Sequence, residues 1–245
     1  MKKYYLIGNH KMNVNYSENI NFIKEVNKLH PDSTDIFFAI APSYTNLICK
    51  QLLAKENNVL KIGAQNVSCY TKGAYTGDIS ANQLADMQMD FVIVGHSERR
   101  TYFHDDSNKI NLRIKEALKH NLKVVLCIGE TFEEFHSKET LKIISKQIDI
   151  ALDGVDETAD IIISYEPIWA IGTGLVASNE HLAPIFEFLQ NKLPKCKFLY
   201  GGSANPGNIM HLLEIPQITG FLVGNASLSP EKFVSMLNMM ELQKK

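Results

Sequence analysis

Short runs of apolar, β-branched and aromatic residues recur along the chain, each followed by a polar turn and a longer stretch in which apolar residues return every three or four positions. A run of four to eight apolar residues fits a strand buried on both faces, whereas the 3.6-residue return marks one face of a helix. On this pattern strands are expected at 4–8, 36–41, 60–64, 91–94, 123–128, 161–165, 197–200 and 220–223. Helices are expected between them. Examples are 17–29, with Ile20, Ile23, Val26 and Leu29 at spacing three, and 108–120, with Ile110, Ile114, Ala117 and Leu118. The last helix opens at Ser229-Pro230, because serine caps a helix and proline's missing N–H is one the first turn leaves unpaired anyway.

Strand starts recur roughly every 30 residues, the length of a βαβ unit, and no shift in composition marks a linker. One domain over 1–245 is therefore expected, an α/β fold of the (β/α)8 barrel type. A doubly wound sheet is the alternative, although it more often uses five to seven strands. Between the third strand and its helix, residues 66–80 form a loop containing Gly73 and Gly77. Structureless loops longer than about 12 residues usually carry a function.

Composition narrows the partners. The chain is 45% hydrophobic and 21% charged with a formal charge of -2, an ordinary globular balance with no electrostatic footprint for nucleic acid or an anionic membrane. No apolar run approaches 18 residues, and Tyr4-Tyr5-Leu6-Ile7 after Lys2-Lys3 is too short for a signal core. A cytoplasmic protein is expected. Cys49, Cys69, Cys127 and Cys196 are scattered without metal-site spacing, so neither disulfides nor structural zinc are expected.

In a barrel the loops after all eight strands converge on one face, so residues distant in sequence become neighbours there. Strand one ends in Asn9-His10-Lys11, strand four in His96-Ser97-Glu98-Arg99-Arg100, strand five in Glu130 and strand six in Glu166-Pro167. Gly201-Gly202-Ser203 and Gly224-Asn225-Ala226-Ser227 follow the last two strands, where barrels often build a phosphate site from backbone N–H groups. Singly these signals are weak. His96 could be a structural histidine, Glu98-Arg99-Arg100 a solvated charge run, Lys11 a surface lysine and Gly172-Thr173-Gly174 a plain turn. Together at strand C-terminal ends they describe a proton-transfer site for a small phosphorylated substrate.

Tyr165-Glu166-Pro167-Ile168-Trp169-Ala170-Ile171-Gly172-Thr173-Gly174 resembles the active-site strand and lid of the triosephosphate isomerase family. Gly8-Asn9-x-Lys11-Met12-Asn13, Gly63-Ala64-Gln65-Asn66, Val94-Gly95-His96-Ser97-Glu98-Arg99-Arg100, Cys127-Ile128-Gly129-Glu130 and Tyr200-Gly201-Gly202-Ser203 resemble it too, in order and spacing. The resemblance implies a TIM barrel that interconverts dihydroxyacetone phosphate and D-glyceraldehyde 3-phosphate through an enediolate, in glycolysis and gluconeogenesis, with no cofactor and no metal. It implies Glu166 as the base, a role favoured by apolar surroundings that raise a carboxylate's basicity. His96 becomes the donor to the carbonyl oxygen, assisted by Asn9 and Lys11. Placed before a short helix whose positive end disfavours an imidazolium, His96 is expected to be neutral. N–H groups of Gly172, Ser203, Gly224 and Asn225 would hold the phosphate, and Lys11 would add the full charge. Glu98 either orients Lys11 or forms a purely structural pair with it. Residues 168–176 would form a lid, with Ile171 and Leu228 as apolar walls. A homodimer is implied, in which loop 66–80 enters the neighbour and Thr76 helps to fix its Asn9 and His96.

Several positions depart from the family's habit. His10 stands where an aromatic residue is common and is expected to point into packing. Asn225 replaces a usual second glycine, which puts the turn geometry in question, although asparagine tolerates the left-handed region better than most residues. Leu175-Val176-Ala177 replaces the usual lid hinge. Asp78 and Asp105 stand in for glutamate, so pairs made by these shorter side chains, including one across a dimer to Arg99, are expected to be longer or absent.

A Schiff-base aldolase would need a desolvated lysine in the barrel, whereas strand six ends in Glu166. A metal-dependent epimerase would need clustered His and Asp ligands, and the eight histidines are dispersed. A non-catalytic phosphate-binding scaffold has no use for Lys11, His96 and Glu166 together.

Overall fold

The computed structural model describes residues 3–30, 34–53, 59–170 and 177–243. Among them, eight parallel strands pair in sequence order and close on themselves: β1 Tyr5–Asn9, β2 Phe37–Ala41, β3 Lys61–Ala64, β4 Phe91–Val94, β5 Lys123–Ile128, β6 Ile161–Tyr165, β7 Lys197–Tyr200 and β8 Ile218–Val223. The closing pair sets Tyr5 beside Gly220 and Gly8 beside Val223. The doubly wound alternative is thereby excluded, and the strand positions agree with the apolar runs to within two residues at either end.

These strands read as runs because both faces are buried. One parity of side chains, including Tyr5, Ile7, Phe91, Ile93, Ile162 and Leu199, fills the barrel interior. The other parity, including Leu6, Phe38, Val92 and Ile163, packs outward against the helices, where Phe186 and Phe233 are also fully buried. At about 1.5–3 kcal/mol for each large apolar side chain removed from water, this second layer fastens the helices to the barrel. The helix Tyr16–Leu29 illustrates the local logic. Asn15 and Glu18 form a reciprocal capping box at its start, and Phe22, Ile23 and Val26 form its buried stripe.

β8 begins two residues earlier than its glycine suggests. The β7–β8 register slips between Phe198 and Leu199, and the Thr219 hydroxyl takes up the slack by bonding both N–H and C=O of Phe198 at 3.1 and 3.0 Å. A side chain there replaces part of the ladder, which a periodicity in apolar residues does not register.

Candidate active site

Side-chain parity carries over the ends of the strands. Asn9 continues the inward series Tyr5-Ile7, and Glu166 continues Ile162-Ser164, so both point into the C-terminal mouth of the barrel. There Asn9, Lys11, His96, Glu166, Ser203, Gly224 and Asn225 line one cleft of about 570 Å³. The sequence-derived set is thus brought together, apart from Gly172, which lies outside the described residues together with Ile171, Thr173, Gly174, Leu175 and Val176.

Glu166 is 1% exposed. Its Oε2 accepts the backbone N–H of Ser97 at 3.1 Å, and its Oε1 lies 3.4 Å from His96 Nε2. The Ser97 N–H thereby fixes the side chain's resting position. Two glycines make room for it. A Cβ on Gly129 would stand 1.8 Å from the Glu166 carbonyl oxygen, and one on Gly201 would stand 2.8 Å from Glu166 Cγ.

His96 follows Gly95, whose φ of +74° turns the chain off β4 into the helix Ser97–Tyr102. The imidazole is itself the helix cap: Nδ1 accepts the N–H of Glu98 at 3.2 Å. Nδ1 is then the acceptor nitrogen and the proton of the neutral ring resides on Nε2, the atom that faces Glu166. Arg100 buttresses the turn, donating from Nε to the Gly95 carbonyl at 2.8 Å and from an Nη to that of Cys127 at 3.1 Å. The charge run is therefore not a solvated face at this residue.

Lys11 has φ +51°, a conformation costing about 1–3 kcal/mol for a non-glycine residue. Asn9 Oδ1 accepts its N–H at 3.0 Å, Gln65 Nε2 donates to its carbonyl at 2.8 Å, and its ammonium meets Glu98 Oε1 at 2.6 Å. Gln65 also donates to the Ala41 carbonyl at 2.9 Å, tying Lys11 to the end of β2. On the opposite wall Asn225 opens a 3-10 turn, Asn225–Leu228, whose first N–H groups have no partner within the turn. Asn225 is absent from the positive-φ residues, so its replacement of glycine involves no strained backbone. Ser203 Oγ donates to the Ala170 carbonyl at 2.7 Å, joining the loop after β7 to the turn after β6.

Two readings need adjustment, and one holds. The carboxylate of Asp105 is fully buried and keeps its pairs within the chain, at 2.8 Å from Arg99 Nε and 3.1 Å from Arg113, so the shorter side chain has not lost them. Its position just past the helix bearing Arg99 brings it within reach without the extra methylene. Glu130, at the end of β5, does not line the cleft; its Oε1 accepts from Tyr165 at 3.0 Å and Trp169 at 2.9 Å, and burial raises its carboxyl above the usual carboxylate range. His10 does lie in packing, edge-on to Phe22 with Nε2 3.1 Å from the Ser227 carbonyl. Sequence reasoning missed Ser97, Gln65 and Arg113 as supports, because each acts through hydrogen bonds to residues on other elements that no periodicity marks. Among the described residues, no three His, Cys, Asp or Glu side chains cluster closely enough to hold a metal ion, and no helix is long and apolar enough to cross a membrane.

A sequence profile of triosephosphate isomerase matches residues 4–240. The chain belongs to the triosephosphate isomerase family. It is 39% identical to the triosephosphate isomerase of Mycoplasmopsis pulmonis over 99% of this chain and 100% of that one. The identity is 37% to that of Mesomycoplasma hyorhinis, covering 98% of this chain and 99% of the other. Among solved structures, the triosephosphate isomerase of Bartonella henselae superposes with a TM-score of 0.86 at 28% identity, covering 98% of this chain and all of that one. Triosephosphate isomerase membership thus extends across the barrel, including every strand end that contributes to the cleft.

Proposed function

We infer that this chain interconverts dihydroxyacetone phosphate and D-glyceraldehyde 3-phosphate, with Glu166 moving the proton between carbons. The observation that carries the assignment is the pairing of a buried carboxylate with an imidazole N–H 3.4 Å away in a cleft that also holds an ammonium. Glu166 removes a proton from the carbon beside the substrate carbonyl. Negative charge develops on the carbonyl oxygen, and the Nε2–H of His96 meets it, with Asn9 and Lys11 adding donors from β1. The Nε2–H proton of His96 passes to that oxygen while the ring takes up the proton of the adjacent hydroxyl, whose oxygen becomes the new carbonyl, and Glu166 returns its proton to the neighbouring carbon. The phosphate lies at the opposite wall on N–H groups of Ser203, Gly224 and Asn225, with Gly172 as a fourth contributor. Residues 1–245 act as one domain in the cytoplasm, within glycolysis and gluconeogenesis.

The functional unit is a homodimer. Its basis is the loop 66–80, which projects with Tyr70 and Tyr75 stacked at 3.8 Å on its exposed surface. Tyr102 and Phe103, after the helix that His96 caps, are also exposed, and apolar surface of this kind marks an interface. Thr76 lies on the same loop and is assigned to support the neighbour's Asn9 and His96.

The deciding experiment is an isomerisation assay with dihydroxyacetone phosphate on the wild type and on Glu166→Gln. The amide keeps an acceptor for the Ser97 N–H, so folding is retained while turnover falls by roughly 10² to 10⁴, the contribution of a general base. Near-normal turnover in that variant would overturn the assignment of the base.

A further inference from the structure

Behind the turn that follows Glu166 lies a second cluster of ionisable and aromatic groups. Trp169, in the turn Ile168–Ala170, donates to Glu130 Oε1 at 2.9 Å, stacks on Phe135 at 4.6 Å and meets the edge of His181 at 5.6 Å. His181 also stands edge-on to Phe135 at 4.9 Å, and its Nε2 lies 3.5 Å from the Tyr165 hydroxyl. That hydroxyl donates to Glu130 at 3.0 Å, so its oxygen is left to accept from His181 Nε2–H. The chain of contacts His181, Tyr165, Glu130, Trp169 therefore closes on itself around Phe135. The turn it encloses is bonded on the active-site side as well, through the Ala170 carbonyl to Ser203.

We propose that His181 is a positioning residue for the isomerisation: through its Nε2–H on the Tyr165 hydroxyl and its ring edge on Trp169 it holds Trp169, and with it the turn joining Glu166 to Ser203. The neutral ring is the form the surroundings favour. Burial lowers the imidazole below its ordinary value of 6.5. His181 is also in the first turn of the helix Asn179–Lys192, where the dipole opposes a positive charge. The ionisable groups facing it are Tyr165 from β6 and, through that hydroxyl, Glu130 from the end of β5. On the helix Phe132–His136 the neighbours are His136, in contact with the same Phe135 ring, and Glu134, which acts on Glu130. Glu180 is adjacent on its own helix. Of these, His181 alone is an imidazole in direct ring contact with Trp169.

Trp169 is the chain's single tryptophan, so its emission reports on this cluster without interference. An imidazolium in ring contact accepts charge from the excited indole and quenches it, whereas a neutral ring does so weakly. Titrating the intact protein from pH 8 to 4.5 should quench emission in a step with its midpoint below about 6.5, the ordinary histidine value. The step should vanish in His181→Gln, which keeps an N–H donor and cannot titrate. In the isomerase assay at pH 7.5, His181→Ala should lower kcat about tenfold with little change in KM, short of the roughly 10²-fold that a 1 Å misplacement costs, and His181→Gln should recover most of it. A quenching step that persists in His181→Gln overturns the proposal. So does wild-type kcat in His181→Ala, or a His181→Gln enzyme as slow as the alanine variant. The kinetic arm rests on the isomerase reading and the fluorescence arm does not: inactivity of the wild type would sink that reading, whereas a flawed role for His181 shows in the emission step of a fully active enzyme.

Discussion

The backbone N–H of Glu98 donates to Nδ1 of His96 at 3.2 Å, so one residue both caps a helix and has its tautomer set by that helix. The consequence is mechanistic. With Nδ1 occupied as an acceptor, Nε2 carries the proton and presents it towards Glu166 Oε1, 3.4 Å away. The two roles of His96 separate by substitution. His96→Ala should lose about 10² to 10³ in kcat through the missing donor and roughly 1 kcal/mol of stability through the missing cap. His96→Asn retains a capping side chain but ends short of the Glu166 carboxylate, so stability should return while activity does not. Urea unfolding and steady-state kinetics on both variants test this; joint recovery of stability and activity in the asparagine variant would show that His96 is only a cap.

His10 predicts an acid-dependent stability. Burial depresses its ring to about 4 from 6.5, outweighing the contact with the Ser227 carbonyl. Between those two pH values the unfolded chain binds a proton that the folded chain refuses, so stability falls as pH drops from 6.5 towards 4. Full protonation corresponds to a loss of roughly 3 kcal/mol. His10→Phe keeps an aromatic ring against Phe22 and removes the titration. Unfolding curves at fixed protein concentration should show a shallower decline across that window in the variant than in the wild type. Parallel declines would locate the acid sensitivity elsewhere.

The stacked pair at the tip of loop 66–80 predicts a concentration-dependent enzyme. Tyr75→Asp places a charge on the surface assigned to the neighbour and breaks the 3.8 Å stack with Tyr70. Sedimentation should shift from dimer to monomer, and specific activity should fall with it, since the neighbour's Asn9 and His96 lose their support from Thr76. A Tyr75→Asp monomer with wild-type activity would refute the assignment of this loop.

Asn225 contributes through its backbone in the proposed phosphate site. Asn225→Gly should therefore change substrate affinity by less than about 1.4 kcal/mol, a factor of ten. The absence of a positive φ at this position means that glycine relieves no strain in return. A KM increase well beyond tenfold would assign the side-chain amide itself to phosphate binding.

For Asp105, the three cations around it, Arg99, Arg113 and Lys109 at 3.4 Å, set the stake. Arg113 is itself 3% exposed and bonded to Asp105 at 3.1 Å, so Asp105→Ala leaves a buried guanidinium without its counter-charge. Breaking such a pair costs about 3–5 kcal/mol, which thermal or urea unfolding will register directly. A loss below 1 kcal/mol would mean that the Asn66 side chain and the Val67 carbonyl, which also accept from Arg113, satisfy the guanidinium without Asp105.

The sequence alone determined the order of the strands and, apart from the start of β8, their positions to within a residue or so, because in a parallel barrel both faces of each strand are buried and every strand becomes an apolar run between polar turns. It also determined which residues stand at the strand ends, and hence that Asn9, Lys11, His96, Glu166, Ser203, Gly224 and Asn225 meet at one mouth, since period-two parity and the common direction of the strands suffice for that. What only the tertiary structure decided are the contacts between residues with no local signature. The Ser97 N–H meets Glu166 across 69 positions, Arg100 turns inward from a charge run, and Glu130 leaves the cleft for Tyr165 and Trp169. Even β8 was placed by such a contact, through Thr219 on Phe198. Periodicity records which face of an element is apolar. It does not record the side-chain hydrogen bonds that form once the barrel closes, because each depends on a distance of about 3 Å between groups that only the closed sheet brings together.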